Sequence, residues 1–102
     1  GADTMQGGAG DDTYIVDDAH DRTIESLGAD NGYDTVITSV SYRLDPARSI
    51  ERLETSDATG TADLNLTGNS FENTIIGNAG DNRINGLGGA DTMEGGAGDD
   101  TY

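Results

Sequence analysis

Apolar residues in the C-terminal third of this chain recur at an interval that is neither the strict alternation of a half-buried strand nor the 3.6 of a helix. Cut into nines, that third reads GNSFENTII (68–76), GNAGDNRIN (77–85), GLGGADTME (86–94) and GGAGDDTY (95–102), and the same frame fits GGAGDDTYI at 7–15. Position eight is large and apolar each time: Ile75, Ile84, Met93, Tyr102 and Tyr14, with Met5 in a truncated first unit. Position six is an acid or an amide each time: Asn73, Asn82, Asp91, Asp100 and Asp12, with Asp3 in the first unit. The pattern predicts a Gly-rich turn of about six residues followed by a strand of about three, with position eight facing inward.

Between Gly32 and Leu66 the nine-residue frame fades. Alternation in YDTVITSVSYRL (33–44) predicts one strand rich in Thr, Val, Ile and Tyr. Asp45-Pro46 is a helix-start signal that predicts a single turn through Ser49, and IERLET (50–55) and ADLNLTG (62–68) read as two further strands. The expected organisation is N-terminal turns over 1–31, a strand-rich linking part of the same solenoid over 32–67 with little metal, and C-terminal turns over 68–102.

A second, longer repeat encloses the first. GADTMQGGAGDDTY at 1–14 recurs as GADTMEGGAGDDTY at 89–102, with Gln6 against Glu94 the one difference and an offset of 88 residues. The chain therefore reads as one long repeat plus the start of its next copy at 89, taken from an array.

Composition narrows what such turns can do. Twenty Asp and Glu against five Arg give a net charge of −15, which disfavours nucleic acid and anionic membrane as partners and favours cations. With 32% apolar residues, one Phe and no Trp, a conventional globular core is not expected; a disordered acidic linker would share this composition but not the two registered columns. The chain has no Cys, and no stretch approaches the ~18 apolar residues of a membrane span. No nucleophile–base pair is available, because the one histidine, His20, sits in an acidic turn and reads as an exposed residue. The Gly-rich turns lack the Lys-Ser/Thr of a phosphate loop and the closing Glu of an EF-hand, so no catalytic residue is assigned.

GGAGDDTYI at 7–15 and GGAGDDTY at 95–102 resemble the G-G-x-G-x-D-x-U-x nonapeptide of the repeats-in-toxin family. The resemblance implies an all-β fold, a right-handed parallel β-roll with eighteen-residue coils and several Ca²⁺ ions held in its turns. Ca²⁺ takes six to eight oxygens at about 2.3–2.6 Å, which backbone carbonyls and carboxylates supply without His or Cys. It further implies that each ion lies between two stacked turns, bound by carbonyls of positions two and four of one, positions one and three of the other, and the position-six side chains. On this chain one such site takes Asn78, Gly80 and Asn82 with Gly95, Ala97 and Asp100, and a second takes Asn69, Phe71 and Asn73 with Gly86, Gly88 and Asp91. Both have Asn where one Asp is usual, which removes a charge and weakens binding. The eighteen-residue interval adds Asp3 with Asp21 beside Gly1, and Asp12 with Asp30 beside Gly8 and Gly10. Asp17, Asp18, Asp34, Asp81 and Asp99 read as solvated charge, and Tyr14 and Tyr102 as core.

The function implied is a structural calcium-binding module of a large secreted bacterial protein, of adhesin or surface-layer type, exported unfolded by type I secretion and folding on extracellular Ca²⁺. Its partners are calcium and neighbouring repeats of the same chain. The alternatives are the C-terminal part of a secreted protease, lipase or polysaccharide-modifying enzyme, and a module that binds polysaccharide or a cell surface.

Overall fold

Short runs, most led by Thr or Arg and most with an apolar residue facing in, become strands of two to four residues. The computed structural model describes residues 1–7, 10–24, 32–44, 50–57 and 59–102. Among them are ten strands: β1 (Thr4–Gln6), β2 (Thr13–Val16), β3 (Arg22–Ile24), β4 (Thr35–Thr38), β5 (Tyr42–Arg43), β6 (Arg52–Thr55), β7 (Asn65–Thr67), β8 (Thr74–Ile76), β9 (Arg83–Asn85) and β10 (Thr92–Glu94). All pairings are parallel. The even-numbered strands form one sheet in the order β10-β8-β6-β4-β2, while β1-β3 and β5-β7-β9 form two others. The chain therefore passes from one side to the other at every strand, which makes it an all-β parallel solenoid.

The inward column is the core. Tyr14, Val36, Leu53 and Ile75 stack in register along the five-stranded sheet, and Tyr42, Leu66 and Ile84 along the three-stranded one, all buried. Leu44, Ile50 and Leu64 close the middle coils, and half-buried Met5 and Met93 pack at the two ends. Each fully buried Leu or Ile contributes about 1.5–3 kcal/mol of transfer free energy. The apolar weight thus lies in the middle, where the nonapeptide is weakest.

The eighteen-residue coil holds for β1–β3, β7–β9 and β8–β10, but not between. Thr13 lies opposite Thr35, Thr35 opposite Arg52, and Arg52 opposite Thr74, which are spacings of 22, 17 and 22 residues. The expected single strand over 33–44 is two strands on different sheets, β4 and β5, parted by a corner at Ser39 and Val40. Buried Thr38 makes that corner: its hydroxyl donates to the Val40 carbonyl at 2.7 Å and accepts the Val40 N–H at 3.1 Å. A straight strand of twelve residues would run about 40 Å, far beyond the faces of this solenoid, so the alternation continues through a bend. The helical turn expected from Asp45-Pro46 to Ser49 lies outside the described residues.

Candidate metal centres

Position six joins one coil to the next. The N–H of Asp3 donates to the Asp21 carboxylate at 2.6 Å, that of Asn73 to Asp91 at 2.9 Å and that of Asn82 to Asp100 at 2.8 Å, all across eighteen residues. Asp12 donates to the carboxylate of Asp34 at 2.9 Å, and Asp34 in turn to Glu51 at 2.7 Å. Among the described residues the partner of Asp12 in the ladder is Asp34, 22 residues on; Asp30, expected as the partner of Asp12, lies outside the described residues, as does Gly8. Asp34, read from the sequence as solvated charge, is fully buried. A local signal marks it: Asp34-Thr35-Val36 repeats the Asp-Thr-apolar triplet of 3–5, 12–14, 91–93 and 100–102.

Each of these side chains folds back over the first residue of its own turn. A methyl group on Gly7, Gly68, Gly77, Gly86 or Gly95 would collide with the side-chain oxygen of Asp12, Asn73, Asn82, Asp91 or Asp100 respectively. Only glycine leaves room for that oxygen. Stacked turns also approach closely through backbone: the carbonyls of Asn78, Gly80 and Phe71 face Gly96, Gly98 and Gly89, and those of Gly86 and Gly95 face Gly68 and Gly77. Five of the nominated carbonyls thus lie between stacked coils, each against a glycine of the neighbouring turn. Gly88 stands apart, with nothing nearer its open side than Ser70 Cα at 3.9 Å.

The turns are of two kinds. In 86–91 and 95–100, positions two and four have positive φ: Leu87 at 64°, Gly89 at 89°, Gly96 at 93° and Gly98 at 97°. In 68–73 and 77–82, position two is Asn and none of the residues has positive φ. There the amides close the turn themselves. Asn69 Oδ1 accepts the Phe71 N–H at 3.0 Å and Asn78 Oδ1 the Gly80 N–H at 2.9 Å, while Asn73 and Asn82 Oδ1 accept the N–H of Asn69 and Asn78 at 2.9 and 2.8 Å. The amide nitrogens donate as well, Asn73 to the Ile50 carbonyl at 2.7 Å and Asn82 to Asn78 Oδ1 at 3.0 Å. Each of the two expected sites therefore pairs one amide-closed turn with one carboxylate turn.

At the N-terminal end Asp3, Asp17 and Asp21 bring carboxylate oxygens within 4.8 Å of one another. Asp21 is buried, and the Asp3 N–H, followed by those of Asp17 and Asp18, holds its carboxyl below the ordinary aspartate value. Asp17, read as solvated, thus stands in this group, and Gly1 beside it is exposed. Position five forms a ladder of opposite direction: Asp11 accepts the Tyr33 N–H, Asp63 that of Asp81, and Asp81 that of Asp99, at 2.7–2.9 Å. His20 is exposed and meets Asp18 Oδ1 at 3.1 Å. Tyr14 is buried as expected, but Tyr102 is 63% exposed, its hydroxyl accepting the Gly95 N–H at 2.7 Å.

The donor set is oxygen throughout, the charge is strongly negative, and Asp12 Oδ2 is buried with no hydrogen-bond partner among the described residues. Those features fit a hard divalent cation. No curated protein and no solved structure matches the chain. The RTX calcium-binding nonapeptide repeat matches in four copies over residues 1–22 and 67–102, more than half of the sequence and the two parts where the position-one glycines and the position-six acids and amides stand in register. The chain belongs to the family of RTX calcium-binding repeats, structural calcium-binding modules.

Proposed function

We propose that this chain is a Ca²⁺-triggered structural module: unfolded while calcium is scarce, folded into the solenoid once outside the cell, and one link in a longer surface or adhesin-type protein. The observation that supports this most is the column of carboxylates over position-one glycines at both ends of a chain carrying −15. Without cations those carboxylates repel; with them, metal-binding energy becomes folding energy. Extracellular calcium modules bind at about 10⁻⁴–10⁻³ M, above cytosolic calcium, which suits type I export of an unfolded chain.

The ions go to the carboxylate turns: at Asp91 with the carbonyls of Asn69, Phe71, Gly86 and Gly88, at Asp100 with those of Asn78, Gly80, Gly95 and Ala97, at Asp12 with Gly10, and at Asp3 with Asp17 and Asp21. Asn73 and Asn82 add weak amide oxygens. The linking part over 32–67 is held by its apolar column. The test is circular dichroism with and without millimolar Ca²⁺, joined to metal counting. A coil-like spectrum that converts to strand on binding several ions is expected; an apo spectrum already rich in strand refutes the mechanism.

A further inference from the structure

One fourteen-residue stretch, with Gln6 against Glu94 its one difference, occurs twice in this chain, and the fold puts the two copies on opposite sides. In the first copy Thr4–Gln6 is β1, in the two-stranded sheet, and Thr13 begins β2, in the five-stranded sheet. In the second copy Thr92–Glu94 is β10, in the five-stranded sheet, and Thr101 bridges Arg83 of the three-stranded sheet. From β1 to β10 the described strands make nine side-to-side passages, an odd number. The long repeat of 88 residues is therefore four and a half coils rather than a whole number.

We infer that consecutive copies of the long repeat continue one solenoid and that each copy is turned by half a coil from the one before. The inference rests on the array reading above and adds its geometry. The structure itself displays the continuation. On the first copy sit Arg22–Ile24, paired with β1, and Thr35–Thr38, paired with β2, with the Asp21 and Asp34 carboxylates taking the N–H of Asp3 and Asp12. The second copy carries the matching groups, the N–H of Asp91 and Asp100, so that residues one period after Arg22–Ile24 and Thr35–Thr38 meet the same partners there. Each outward feature, and each metal turn, then alternates between opposite sides of the array, with a rise of about 22 Å per copy at ~4.8 Å per strand. A partner that recognises one outer face meets it on both sides of the fibre, once per two copies on each.

The chain has no cysteine, so spin labels can be placed freely. In the Ca²⁺-loaded chain, Gln6→Cys with Glu94→Cys joins equivalent outward positions of the two copies, and Ile15→Cys with Glu94→Cys joins two outward positions of the five-stranded sheet. Four strand spacings put the second pair about 19 Å apart along one face; the first pair adds the ~10 Å between sheets and the reach of both labels, giving about 30 Å. Pulsed dipolar spectroscopy should show the first distance longer by about 10 Å; distances equal to within the ~2.4 Å rise of half a coil overturn the inference. In a chain of two consecutive copies, labels at Ile15 and at its counterpart one period later should likewise lie about 30 Å apart, and a broad, unresolved distribution refutes the continuous solenoid. Failure of the calcium mechanism shows separately, as a dichroism spectrum that calcium does not change.

Discussion

Gly86 and Gly88 stand two residues apart in one turn, and the structure gives them opposite tolerance to a methyl group. A Cβ on Gly86 would lie 2.6 Å from Asp91 Cγ and closer still to its Oδ2, so Gly86→Ala must push the carboxylate away. That breaks the 2.9 Å bond from the Asn73 N–H, worth about 1.5–3 kcal/mol for a charged acceptor, and withdraws the Asp91 ligand. The lower entropy of the unfolded chain returns about 0.4–1 kcal/mol, leaving a net loss of about 1–2 kcal/mol before any calcium term. On Gly88 the same methyl meets nothing closer than 3.9 Å, and its φ is not positive, so Gly88→Ala keeps the entropic gain. In saturating Ca²⁺ and urea, with a slope of about 1–2 kcal/mol/M, Gly86→Ala should lower the midpoint by about 1 M and Gly88→Ala should hold or raise it. Calcium titration should show weaker binding for Gly86→Ala alone. Equal midpoints for the two variants, or a larger loss at Gly88, would refute the cradle argument.

Leu66→Ala, at a fully buried position between Tyr42 and Ile84, should cost about 2–5 kcal/mol in the calcium-loaded state, read by the same urea melts. Leu87→Gly should stabilise by about 1 kcal/mol, because Leu87 is held at φ 64° and half exposed; a loss would mean that its side chain packs in solution. Asn82→Asp should raise calcium affinity at the Asp100 turn while lowering apo stability, since the Asn82 amide donates to Asn78; isothermal titration and apo dichroism separate the two effects. The Thr59 hydroxyl and N–H hold the Asp57 carboxyl below 3.8, so its contribution is fully present above the ordinary aspartate pKa and is lost as pH falls through the lowered value. Asp57→Ala should therefore differ from the parent at neutral pH and converge with it in strong acid, measured by thermal melts.

The short period was legible because it is local: a turn and a three-residue strand repeat their needs every nine residues, whatever lies elsewhere. Position six, position eight and the position-one glycines follow from that alone, and so does a parallel all-β solenoid with oxygen-rich turns. The lengths of the middle coils are not local. Alternation over 33–44 states which side chains face in, but the bend at Ser39 depends on Thr38 finding its corner hydrogen bonds in a packed coil. That bend adds the strand that makes the passages odd, while the 22-residue coil before it brings Asp34 opposite Asp12 and buries a carboxylate that the sequence leaves in solvent. The Asn turns are similar, since the sequence gives an Asn at position six as a weakened ligand and only the structure shows its amide also bonded within the turn and to Ile50. Sequence determined what each nine-residue unit is; the tertiary packing of the middle decided how many units stand between the two copies, and so which way each copy faces.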